Sequence, residues 1–199
     1  MYLPLGFRWQ HAIYIVDDPH APLTVPMNKA HEAMPYLTYI IDHYDSLPKT
    51  IVFLHAHRSG WHGAWDELGP SFSNVYSVNN LNIDFVQRNG YANLRCGHMP
   101  GCPDEIVTNR HPPDISGKGD KEHLMPAMWH DLFNNTDVPA VIAVPCCSQF
   151  AVSRDQVRKR ELQEYVHYRE WIYATLLDDD LSGRMWEYLW HIVFGQDPV

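Results

Sequence analysis

The sequence predicts an α/β fold with a mainly parallel sheet, helices on both of its faces and a long irregular loop in the middle. Three observations predict it. Apolar runs of strand length recur, AIYIV at 12–16, TIVFL at 50–54 and AVIAV at 140–144. Stretches with 3.6-residue periodicity lie between and after them. Residues 96–120 hold four of the fifteen prolines and four of the eleven glycines with almost no periodicity, the signature of a long surface loop. Strands alternating with helices call for crossover connections, which make neighbouring strands parallel and bury them on both sides. The 199 residues read as one domain, 1–199, long enough to bury roughly 70% of the surface of the unfolded chain.

Taken in order, residues 12–16 are expected to form a buried strand and residues 29–45 a helix. In that helix Ala33, Met34, Leu37, Ile40, Ile41 and Tyr44 share one face, and Pro48 prevents continuation. Glu32, Tyr36, Tyr39 and His43 form a polar and aromatic stripe opposite the core. Residues 50–57 read as a second buried strand whose alternation places His55 and His57 on one face. After the middle loop come a helix at 121–134, the strand at 140–144, the segment QFAVSR at 149–154, and a helix at about 155–176 with Tyr165, Tyr168 and Ile172 on its apolar face. Asp178, Asp179 and Asp180 read as a solvated turn. A last helix at 183–194 has Trp186, Leu189, Trp190 and Val193 on one face, with Arg184, Glu187 and His191 beside it.

Composition narrows the function classes. With 45% hydrophobic and 20% charged residues the chain is globular rather than disordered or fibrous. No apolar run reaches membrane-spanning length, and the start is too short for a secretory signal; a cytoplasmic protein with no membrane partner is expected. Twenty-four acidic against fifteen basic residues, a net charge of −9, argue against a surface that grips nucleic acid all over. Charge is nevertheless segregated. Arg154, Arg158, Lys159 and Arg160 fall within seven residues, whereas residues 161–199 carry eight acids and two bases. That run is either a solvated face or a local patch for a polyanion. Four cysteines are too few for a disulfide scaffold, and no C-x-x-C pair suggests a zinc ribbon.

In open sheets of this Rossmann-like or glycosyltransferase-like three-layer kind, ligands bind beyond the carboxyl ends of the strands. Asp17 and Asp18, His55 and His57, and Cys146 and Cys147 would converge there. Three imidazoles, His55, His57 and His62, have the chemistry to hold zinc, but no fourth ligand is evident and no metal is assigned; acid/base work or a structural role are the alternatives. Adjacent Cys146 and Cys147 point to opposite sides, so one at most faces a pocket, as a nucleophile or as a small buried hydrophobe. Glu187, flanked by Trp186 and Trp190, is either a base in poorly hydrated surroundings or a solvated partner of His191. Glu32 has the same choice, its plain alternative being a favourable charge on a helix dipole. No phosphate-binding glycine motif is present, so no nucleotide cofactor is expected.

Five stretches, HEAMPYLTYIIDHYDSLP (31–48), IVFLHAHRSGWH (51–62), GYANLRC with PGCP (90–103), CCSQFAVSR (146–154) and GRMWEYLWHIVFG (183–195), together resemble a fungal family long catalogued as a domain of unknown function. The family includes the fungal arginine-containing cyclodipeptide synthases. The resemblance implies that arginyl-tRNA and a second aminoacyl-tRNA are joined into a cyclo-arginine-Xaa diketopiperazine, with no cofactor and no protein partner. Under that reading Glu187, His55, His57, Cys146 and Cys147 are the candidates for catalysis. Glu32, Tyr36, Tyr39, Trp61, His62, Gln149, Trp190 and His191 are candidates for holding substrate, and Arg154, Arg158, Lys159 and Arg160 for holding tRNA. A glycosyltransferase-like enzyme with a nucleotide-sugar donor and a non-catalytic tRNA-binding module are the alternatives.

Overall fold

The computed structural model describes residues 9–57, 73–95, 97–113 and 118–199. Trp61, His62 and Cys96 lie outside them. In chain order the elements are α1 (Ala33–His43), β1 (Thr50–Phe53), α2 (Asn74–Asn79), α3 (Ile83–Asn89), β2 (Tyr91–Asn93), β3 (Ile106–Val107), α4 (Gly119–Phe133), β4 (Val141–Ile142), β5 (Phe150–Ser153), α5 (Arg154–Val157), α6 (Leu162–Ala174), α7 (Asp179–Glu187) and α8 (Trp190–Val193).

The expected mainly parallel sheet does not form. β5 lies between β1 and β2 and pairs antiparallel with both, Phe53 and Asn93 each facing Phe150, while β3 and β4 form a separate antiparallel pair. Run length and alternation report that a strand is present, not which strand it pairs with or in which direction. QFAVSR thus supplies the central strand, with all four residues of β5 buried. Of AVIAV only Val141 and Ile142 are paired. Residues 12–16 are no strand: Ile13 and Ile15 are 72% and 43% exposed, and Ile15 bonds only its own return loop at Leu23 and Thr24. Among the described residues no strand pairs with this run.

Phe150 and Val152 face the main core, and Ala151 faces the other side, where Val86 of α3 covers it. The main core is largely aromatic: Tyr36 and Phe53 approach to 4.6 Å between ring centres, Phe150 and Trp190 to 5.5 Å, and Trp186 and Trp190 to 5.1 Å. The apolar face expected for α1 packs here, but so does Tyr36, because α1 is covered by the sheet as well as by α6. Pro35 sits in the first turn of α1, where its missing N–H would have had no intrahelical partner. Gly101 is required by contact and conformation: its φ is +122°, and a Cβ there would lie 2.0 Å from the Val144 carbonyl oxygen.

Both late helices are interrupted. After α5 the chain restarts at Glu161, whose N–H donates to Glu164 Oε2 at 2.9 Å. Glutamate is not a favoured N-cap, which hides this start from a periodicity reading. Asp178, expected in a solvated turn, accepts the Leu181 N–H and caps α7. The basic run is built into this frame. Arg158 donates to the carbonyls of Tyr44 and Asp45. Arg160 donates to the Val193 carbonyl at 2.7 Å, pairs with Glu164 at 2.7 Å and lies over the rings of Phe133 and Tyr168. Arg154 is half-buried, with Nε 3.5 Å from Asp155, and Lys159 is exposed.

The middle loop is anchored by one buried carboxylate. Glu122, with its side chain 6% exposed, accepts the Val107 N–H at 2.8 Å and Arg110 Nε at 2.9 Å. Glu122→Ala should therefore cost about 2–3 kcal/mol, somewhat less than breaking a fully buried pair because Arg110 is partly solvated. Urea unfolding measures it, and a change below about 0.5 kcal/mol would show that the anchor contributes only as a surface pair does. No helix among the described residues is long and apolar enough to cross a membrane.

Candidate active site

Antiparallel pairing decides where the chemistry sits. Because β5 runs against β1 and β2, its start adjoins the ends of both, so His55 beyond β1, Arg95 beyond β2 and the 146–149 turn before β5 share one rim. The start of α1 and the end of α7 supply Glu32 and Glu187 to the same place. A tight turn at Ala30 and His31, both at positive φ, presents Glu32. That turn packs on α7 at Gly183, where a Cβ would lie 2.3 Å from the His31 ring.

His55 is the hinge of the cluster. Its Nδ1 is 2.8 Å from Glu32 Oε1, its Nε2 2.7 Å from the Cys147 carbonyl, and its backbone N–H donates to Gln149 Oε1 at 3.1 Å. With an acceptor against each ring nitrogen, the setting favours the doubly protonated, charged ring. Burial works to lower the His55 pKa, but the hydrogen bond and charge of Glu32 and the Cys147 carbonyl outweigh it, so the pKa is raised. Burial likewise works to raise Glu32, and the hydrogen bond and charge of His55 hold it below the usual carboxylate range.

Glu187 has the opposite setting. Burial pushes its pKa up and the charge of Glu32 adds to this, against the lowering effects of Arg184, His55 and the Cys147 N–H. Cys147 therefore acts on both acid groups: its carbonyl bonds His55, and its backbone N–H helps to favour the ionised form of Glu187. Cys147 and Ser148 both have positive φ, 88° and 48°, conformations that non-glycine residues hold only when their surroundings impose them. Two carboxylates with pKa values driven apart around a fixed cation form a site able to hold a cation at one and move a proton at the other.

The sequence reading of the two cysteines is corrected. Cys146 and Cys147 are joined to each other by a disulfide; adjacent side chains diverge only where the chain is extended, and at Cys147 it is not. In this form neither sulfur is the thiolate that a nucleophile requires. Tyr36 is buried in the wall of the site, its hydroxyl pKa driven well above the usual value by burial and then by the charges of Glu32 and Glu187. Other candidates lie elsewhere. Trp190 is 1% exposed, a core side chain. His191 is buried, bonds the Pro198 carbonyl and has its pKa lowered to about 4 by burial. Tyr39 packs against His43 and Phe53. His57 is exposed, its carbonyl taken by Asn74, and Asp17 and Asp18 lie in an exposed turn. Among the described residues no group of three His, Cys, Asp or Glu is placed to hold a metal ion.

The sequence reading missed Arg95, 3% exposed, whose Nη1 lies 3.8 Å from Cys147 Sγ and whose Nη2 donates to the Met99 carbonyl. The signal was an arginine closing the apolar run YANLR. Arg184 was also passed over; it pairs with Glu187 at 3.2 Å.

The small antiparallel sheet thus carries two carboxylates, the His55 ring and a buried guanidinium at one edge. The chain belongs to the family described as a protein of unknown function (DUF3431), whose model matches residues 5–199. No curated protein and no solved structure matches it.

Proposed function

We propose that the chain is an aminoacyl-tRNA-dependent cyclodipeptide synthase that makes a cyclo-arginine-Xaa diketopiperazine from arginyl-tRNA and a second aminoacyl-tRNA. One observation carries the reading: each of the five stretches that resemble the arginine-containing cyclodipeptide synthases sends a residue into the same cluster, Glu32, His55, Arg95, Cys147 and Glu187. Residues far apart in the chain that meet at one buried site are tied together by chemistry more readily than by packing alone.

The reaction suits such a site. An aminoacyl ester is already activated, so the protein must hold two aminoacyl ends, remove a proton from an α-ammonium and let the amine attack the other ester carbonyl. Each attack forms an amide and breaks an ester bond to a tRNA 3′ oxygen; the second closes the six-membered ring. Glu187, whose carboxyl takes a proton readily, is the base. Glu32, kept ionised by His55, is the counter-ion for the substrate cation, and Gln149 and the Cys147 carbonyl hold His55 in place. The nucleotide-sugar alternative drew on an α/β domain with a sequence-late glutamate as base; among the described residues the strands pair antiparallel instead.

The purified protein, given arginine, other amino acids, their synthetases, ATP and tRNA, should yield cyclo-arginine-Xaa by mass spectrometry, and ribonuclease should abolish it. Product that survives ribonuclease, or transfer of a sugar from a nucleotide donor, would refute the assignment.

A further inference from the structure

The outer side of Glu187 is covered by the chain's own cation. Arg184, three residues earlier on α7, places Nη1 3.2 Å from Glu187 Oε1 and Nε 4.0 Å from Asp180 Oδ1. Its side chain is 42% exposed, whereas that of Glu187 is 9% exposed. The guanidinium therefore stands between a buried carboxylate and solvent. The other groups that face Glu187 are Glu32 before α1, Tyr36 on α1, His55 beyond β1, the Cys147 N–H before β5, and Tyr188. Of the cations among these, His55 is held on both sides by Glu32 and the Cys147 carbonyl and has no freedom to leave. Arg184 has that freedom. Its two acidic neighbours on α7 are four residues before it and three residues after it, so a swing toward Asp180 keeps the guanidinium paired while uncovering Glu187.

We infer that Arg184 is a built-in occupant of the cation subsite at Glu187: it holds the place that the α-ammonium group of the substrate takes before giving up its proton, and the substrate displaces it onto Asp180. A half-exposed pair of this kind is weak, so exchange with an incoming cation is easy. The resident cation keeps a buried carboxylate from standing uncompensated between turnovers. It also favours the ionised form of Glu187, so the base is set by a residue that leaves when substrate arrives. Arg184 is thus a positioning residue. The identity of the substrate cation rests on the function proposed above; the exchange at Glu187 does not.

The test uses the full chain and Arg184→Gln, with Arg184→Lys as the cation-retaining control and Arg184→Gln/Glu187→Gln as the control for site. Binding of methylguanidinium and of methylammonium is measured by titration calorimetry, and Glu187 is titrated by carbon NMR of its labelled carboxyl. Arg184→Gln should bind methylammonium about fivefold more tightly, the gain corresponding to loss of a partly exposed competitor, and should titrate Glu187 at higher pH. The double variant should lose the gain, and Arg184→Lys should stay near the wild type. Unchanged or weaker binding in Arg184→Gln overturns the inference, whatever the carboxyl titration does, and so does a gain that persists in the double variant. If binding responds as expected but the wild type makes no diketopiperazine, the proposed function falls and the exchange stands. Product formation with unaltered methylammonium binding gives the converse.

Discussion

Glu187→Gln is expected to lower turnover at least 100-fold without loss of folding. A positioned general base contributes about 10²- to 10⁴-fold, and glutamine keeps the volume while losing the basic oxygen. The pH profile separates this from a structural role. Burial raises the Glu187 pKa, so in the wild type the ionised base is lost as pH falls through a value above the ordinary carboxyl range. The rate should fall on that acid limb, and in Glu187→Gln the limb should vanish along with most of the rate. Near-normal turnover in a variant with an unchanged melting temperature would leave Glu187 as no more than the partner of Arg184.

The second large effect concerns Glu32 and His55. Glu32→Ala leaves a buried imidazolium without its counter-ion, a loss of 3–5 kcal/mol for a fully buried pair. Glu32 is 25% exposed and His55 11%, so about 2 kcal/mol is expected after allowing for solvent screening. Its pH dependence follows from the two shifts. His55 titrates above its reference value of 6.5 in the folded protein, so its contribution is complete below pH 6.5 and is lost as pH rises through the folded value. Glu32 titrates below its reference of 4.5, so its contribution is complete above pH 4.5 and is lost as pH falls through the folded value. The gap in urea stability between wild type and Glu32→Ala should thus be widest from about pH 4.5 to 6.5 and close on both sides. A penalty as large at pH 9 as at pH 5.5 would mean that the pair acts by packing and not by charge.

Much of the site was legible because the residue types were out of place. Glu32 and Glu187 each stood beside an apolar helical face with aromatic neighbours, and His55 closed an apolar strand, so chemistry was the natural suspicion. Their meeting was not legible: the rim expected at the strand ends held His55 and Cys147 but neither carboxylate. The reading went astray where it relied on neighbours it had no means to see. Residues 12–16 have the apolar content of a strand but pair with none of the strands among the described residues. What the 154–160 run touches was equally hidden: Arg158 and Arg160 donate to backbone carbonyls of other elements, while Lys159 is exposed. Arg95 and Arg184 were not among the candidate residues; the fold sets one against Cys147 and the other beside Glu187.

By itself the sequence determined which faces are apolar: Leu37 and Ile40 of α1, Tyr165, Tyr168 and Ile172 of α6, and Trp186, Trp190 and Val193 at the end are buried as their spacing requires. That information is local, since 3.6-residue periodicity is a property of one helix turning on itself. Tertiary structure alone decided that β5 runs against both its neighbours, and with it that His55, Arg95 and Cys147 share an edge. Strand direction is carried by hydrogen bonds between segments about a hundred residues apart, such as Thr50 opposite Ser153. Nothing in the side-chain alternation of either segment records the sense in which the other one passes.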